Sequence, residues 1–240
     1  MIARSPDRRF YKTAGVVGRD GGFAVVLDDR PVRTPAKNEL VLPSRPLAEA
    51  IAAEWQAQGE KVDPAHMPLL QLANTAIDRV APDPAKVVAE IMAYAETDLL
   101  CHWAPEPAEL IERQRQTWQP LLDWTALALD APLQSVSGIV AHRQADAALA
   151  SLRAVVEAQA PFRLTGLHLL TSVTGSMVIA LAVLAGRLDA DGAWAAAQLD
   201  EDFQIERWGE DPLATERRLG MRADLDAAVR FVALLGPSGL

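Results

Sequence analysis

Asp202 and Glu206 stand four residues apart in LDEDFQIERWGEDP, Leu199 to Pro212, a spacing that puts both carboxylates on one side of a helix. If burial split their pKa values, one would act as general acid and the other as general base. Nothing else in the chain completes such a site: there is no GxSxG, and no GxxxxGKS or GxxxxGKT follows Gly18, Gly21 and Gly22. Asp98, Cys101 and His102, in AETDLLCHW, have the residue types of a cysteine nucleophile. Adjacent cysteine and histidine rarely face each other on regular structure, so Cys101 reads as a small buried group. His66, His102, His142 and His168 follow neither HExxH nor HxH spacing, so no metal site and no cofactor are expected.

The same acidic stretch also reads as a surface. Asp200, Glu201, Asp202 and Glu206 share a short helix with Phe203, Ile205 and Trp208, and Gly209 stops it. Carboxylates flanked by large apolar groups suit either a contact surface or a solvated amphipathic helix. The net charge of −9 argues against nucleic-acid binding, which needs a basic surface. That charge is uneven: residues 1–66 carry ten Lys/Arg and nine Asp/Glu, and the remainder carries thirteen and twenty-three. From Asp189 to Asp211 eight acids face Arg207 alone, which favours a basic partner surface.

Several elements must position these residues. Half of the 240 residues are hydrophobic, enough for a substantial core. Runs at Phe10–Val17, Gly22–Leu27, Arg30–Thr34 and Glu39–Leu42, separated by Gly- and Asp-rich turns, predict antiparallel hairpins. Ser44 and Pro46 open a helix carrying Leu47, Ile51 and Trp55; Trp55 reads as core, with its edge as a candidate partner contact. After Pro64 strand signals fade and helical spacing takes over. Helices are expected at Met67–Val80, from Asp83–Pro84 onward, across Pro105–Leu129 with Pro120 inside, and over about Ala141–Ala158, Leu164–Leu184 and Ala214–Leu235, besides the acidic stretch. The fold class is therefore α+β: a small antiparallel β-rich N-terminal domain with one helix, residues 1–64, and an all-helical C-terminal domain, residues 65–240.

The run Leu164 to Gly186 has the length of a bilayer span, but His168, Thr171, Ser172, Thr174 and Ser176 interrupt it, so a buried helix is expected and no stable membrane insertion. One cysteine and a basic start, MIARSPDRRFYK, without an apolar core predict a cytoplasmic protein.

Five stretches in order, LDDRPVRTP at Leu27, LAEAIAAEWQAQ at Leu47, MPLLQLANTAID at Met67, TDLLCHW at Thr97 and FQIERWGEDP at Phe203, resemble the assembly chaperones of the F-type ATP synthase catalytic sector, those that hold the alpha subunit. The resemblance spans roughly residues 9–230. It implies a β-rich domain joined to a helical one, no enzymatic activity, and binding of the unassembled alpha subunit until the alpha/beta hexamer forms. It also implies a bacterial, alpha-proteobacterial member acting as a monomer, since mitochondrial-matrix relatives usually carry a long presequence. Among the acids of the FQIERWG region, Glu206 is the foremost partner-binding candidate, then Glu201, with Asp202 beside them; Phe203 and Trp208 would be apolar anchors. A small-molecule enzyme using Asp202 and Glu206 is the alternative. Whether these two acids face a client or tie their helix to Arg217 and Arg218 stays open on spacing alone.

Overall fold

A computed structural model of the chain describes residues 8–138 and 143–237. Met1–Asp7, His142 and the start expected for a helix at Ala141 lie outside the described residues.

Asp20-Gly21 makes a two-residue turn between β1 (Ala14–Arg19) and β2 (Gly22–Leu27), which pair antiparallel from Ala14↔Leu27 to Arg19↔Gly22. Gly22 is obligatory, because a Cβ there would lie 2.3 Å from the Leu42 carbonyl oxygen. β3 (Arg30–Pro31) and β4 (Val41–Leu42) pair with the other side of β2. Local carboxylates shorten the expected strands. Asp28 accepts from the Lys12 and Thr13 amides, so pairing starts at Ala14 rather than Phe10. Asp78 accepts from Thr34, Ala36 and Asn38 and turns the chain between β3 and β4.

α1 (Arg45–Gln56) starts where Ser44 accepts from the Leu47 amide, and it packs on Val25, Leu27 and Leu42 through Leu47 and Ile51. This cluster reaches past residue 64: Met67, Leu69 and Leu70 join it, as does Phe231 near the end of the chain. Glu54 reinforces the joint by accepting the Leu69 and Leu70 amides at the start of α2 (Pro68–Thr75), which continues as a π-turn through Val80.

The chain continues through α3 (Pro84–Glu96), α4 (Ala108–Ala128) and α5 (Asp146–Glu157). A two-residue parallel pair, β5 (His102–Trp103) with β6 (Val136–Ser137), is an element that no run in the sequence foretold. The apolar run expected as one helix is two: α6 (Pro161–Thr174) and α7 (Met177–Leu184). Gly175 breaks it with φ of 68°, and Ser176 caps α7 by accepting from the Ile179 amide. α8 (Ala190–Ala197), α9 (Leu199–Trp208) and α10 (Pro212–Leu234) complete the chain. The architecture is α+β, and among the described residues no helix is long and apolar enough to cross a membrane.

All eight residues of α7 are buried, so its first amides cannot turn to water. Asp98, itself fully buried, supplies the acceptor: it takes the Val178 amide at 3.1 Å, the Ser176 hydroxyl at 2.7 Å and the Leu100 amide at 3.0 Å. Burial pushes its pKa up, and these donors pull against that shift. Asp98→Ala would strand all three donors, a loss of about 3 kcal/mol or more in chemical denaturation; Ser176→Ala, which removes one cap, is expected to cost about 1 kcal/mol.

Candidate functional site

α9 carries the acidic stretch, and only Leu199 and Phe203 of its ten residues are buried. Phe203 is 2% exposed and sits in the helical core. The guanidinium groups of Arg207 and Arg113 lie 4.5 and 5.1 Å from its ring centre. Its ring therefore holds α9 down and is not presented to solvent.

Each acid of α9 has a defined partner. Both oxygens of Glu206 accept from Arg113 Nη1 on α4, at 3.0 and 2.8 Å. Arg113 Nη2 also donates to Glu109 at 3.0 Å, and Arg207 donates to the second Glu109 oxygen at 2.5 Å. Glu206, Arg113, Glu109 and Arg207 thus form a chain of alternating charge that clamps the end of α9 onto α4. On the opposite side, Asp202 accepts from Arg218 of α10, which also donates to Gln198 at 3.1 Å and lies 3.7 Å from Glu201. Asp200 turns inward to accept from the buried Gln114 at 2.7 Å, and burial pushes its pKa up.

Of the two arginines expected to tie this helix down, Arg218 holds Asp202, whereas Glu206 is held by Arg113 of α4, which spacing did not suggest. The two carboxylates are turned to arginines on different helices, so they do not form a proton-sharing pair. Glu206 remains exposed, while Glu201 and Asp202 are half-buried, so all three also meet solvent. Among the described residues no group of three His, Cys, Asp or Glu side chains converges to hold a metal ion.

Beyond Trp208 the chain turns at Gly209, φ 86°, into α10. No residue from Pro212 to Asp224 is buried, so the first half of α10 stands off the core. Trp208 is 76% exposed, Leu213 78% and Leu219 68%. The sequence reading named Trp208 but missed the two leucines. Leu219 had an angular signal, lying opposite the centre of the buried stripe of Leu225, Ala228 and Phe231, but Leu213 had none: it is about five turns before Phe231 on the same side of the helix, and it is exposed because that end of α10 stands off the core. Beside Leu219 a recess of about 240 Å³ is lined by Trp194, Glu210, Thr215, Arg218 and Arg222. Trp55 lies elsewhere, half-buried on α1 with its ring edge-on to Tyr11 at 5.5 Å.

Hydrogen bonds from Arg113, then Arg207, hold the Glu109 carboxyl below its ordinary value of 4.5. A carboxyl depressed in this way adds stability above its ordinary value and loses it as pH falls through the folded value. Glu109→Gln is therefore expected to melt below the unaltered chain at neutral pH, with the gap closing as pH drops from 4.5 downward. Thermal melts across that range check it.

Comparison with known proteins gives one consistent result. The family model described as ATP12 chaperone protein matches residues 8–126. The crystal structure of Atp12 from Paracoccus denitrificans is 44% identical, covers 95% of this chain and 98% of its own, and superposes with a TM-score of 0.92. The Atu1473 protein of Agrobacterium tumefaciens is 42% identical over 95% of this chain and 86% of its own, with a TM-score of 0.90. Among curated proteins, mitochondrial atp12 of Schizosaccharomyces pombe is 25% identical over 214 residues, 84% of this chain and 74% of that protein. With a matching family model and two solved structures above 40% identity over nearly the whole chain, this protein belongs to the ATP12 chaperone family.

Proposed function

We propose that this protein is a chaperone of ATP synthase assembly that binds the unassembled alpha subunit through the elbow between α9 and α10. It acts as a monomer in the bacterial cytoplasm and catalyses no reaction. The observation that carries the reading is the elbow itself, where Trp208, Leu213 and Leu219 are mostly exposed beside a run of acids. Large apolar groups held in water within a dozen residues are the mark of a surface meant to be covered. Family membership and the five ordered stretches that resemble alpha-subunit chaperones support the choice of client.

Physics gives each group a part. An unassembled subunit offers an apolar interface prone to aggregation, and a chaperone must cover it reversibly. Trp208 supplies the anchor, since tryptophan dominates binding hot spots. The excess of acids from Asp189 to Asp211 steers a basic partner and sets register. Because Glu206 and Asp202 are already paired with Arg113 and Arg218, client cations exchange with those arginines rather than meeting bare carboxylates. That exchange keeps the net gain small and release easy. Phe203 supports the surface from beneath, and Trp55 lies apart from it.

Purified protein mixed with isolated alpha and beta subunits is expected to give a stable one-to-one complex with alpha; binding neither overturns the reading. Trp208→Ala should weaken that complex about tenfold or more, at least 1.4 kcal/mol, with the melting temperature unchanged. Glu206→Gln should mainly slow association and flatten its salt dependence, measurable by stopped-flow mixing.

A further inference from the structure

The hairpin leaves one side of β1 without a partner strand. Across its two-residue turn, Arg19, Val17 and Gly15 exchange hydrogen bonds with β2, and the 3.0 Å bond from the Asp28 amide to the Thr13 carbonyl continues that alternation. The backbone groups of Ala14, Val16 and Gly18 therefore point away from the sheet. Gln56 Oε1 accepts the Ala14 amide at 3.0 Å, but among the described residues nothing meets the amide or carbonyl of Val16 or Gly18. Edge strands are ordinarily guarded by proline, a bulge or charge. AGVVGR is paired in unbroken register and holds no charge before Arg19.

Between this edge and α1 lies a groove of about 670 Å³, lined by the small residues Ala14, Gly15, Ala52 and Ala53. Arg45 and Glu49 also line it, 3.7 Å from each other. Val17 on the strand and Phe10 before it add exposed apolar surface.

We propose that the β1 edge is a strand-addition site for an extended, uncharged segment of the client polypeptide. Outward amides and carbonyls recurring about every 6.8 Å are complementary to another extended backbone and to little else. Charge complementarity points the same way: the lining's one cation and one anion already neutralise each other, so the groove offers neither sign to a charged ligand. Small lining residues leave room for alternate side chains of the added strand. The site is separate from the elbow, and it rests on the chaperone reading for the source of the segment.

Amide hydrogen exchange of the full chain, alone and with purified alpha subunit, tests it. Exchange at Val16 and Gly18 is expected to slow at least tenfold in the complex, while Val17, already bonded to β2, serves as the internal control. Val16→Pro removes an outward amide and leaves the β2 bonds of Gly15, Val17 and Arg19 in place. It should weaken the complex about tenfold or more with an unchanged melt. A complex that forms with Val16 and Gly18 still exchanging as in the free chain overturns the strand-addition site alone. Protection that appears without client, together with a doubled mass in light scattering, assigns the edge to a second copy and likewise overturns it. No complex with the unaltered chain overturns the chaperone reading and removes the client segment with it.

Discussion

The helical part of this protein is built around a helix that has no access to water, and the carboxylate of Asp98 makes that possible. α7 is buried on every side, so its N-terminal amides must find acceptors inside the protein. Asp98 and Ser176 provide them, and the Leu99 amide bonds to the Gly175 carbonyl at 3.2 Å to lock the same joint. With α7 fixed, α6 on one side and α8 on the other take their places, and Trp118 of α4 closes the layer by donating to the Ala196 carbonyl at 2.8 Å. The same burial, with the Asp98 charge next to it, pushes the Cys101 thiol up to about 12. A cluster with the residue types of a nucleophile is thereby an inert piece of framework.

Forces change character toward the elbow. The core elements meet through apolar contact, whereas α9, beyond its buried Leu199 and Phe203, and the first half of α10 meet their neighbours through arginines: Arg113 and Arg207 toward Glu109 and Glu206, Arg218 toward Asp202, Arg222 toward Asp191. The pairs of Arg113 and Arg207 are solvent-exposed, contribute little each and exchange readily, whereas Arg218 is largely buried beneath Asp202. The client surface proposed at the elbow, which must bind and later let go, is served by such exchangeable pairs. At its other end α10 enters the N-terminal core: Phe231 packs with Leu47 and Met67, and Ser44 donates to the Leu234 carbonyl at 2.6 Å. One helix of about 35 Å thus links the elbow to the sheet whose edge is unpaired.

Much of the local structure was legible in the sequence because its causes are local. The Asp20-Gly21 turn specified the first hairpin, Ser44 and Pro46 the start of α1, and Gly209 the end of α9. The five ordered stretches carried family identity, which needs no coordinates at all. Spacing also announced that Asp202 and Glu206 share a side of one helix. What spacing holds is an angle about a helix axis; which neighbour occupies that direction is a matter of how distant segments pack. Only the tertiary structure decided that Phe203 turns into the core while Trp208, five residues on, turns out. It alone chose Arg113, 93 residues away, for Glu206 and Arg218 for Asp202. It likewise split the run from Leu164 to Leu184, where Asp98 rewards a new helix start at Ser176 with acceptors for amides that one continuous helix would never have freed.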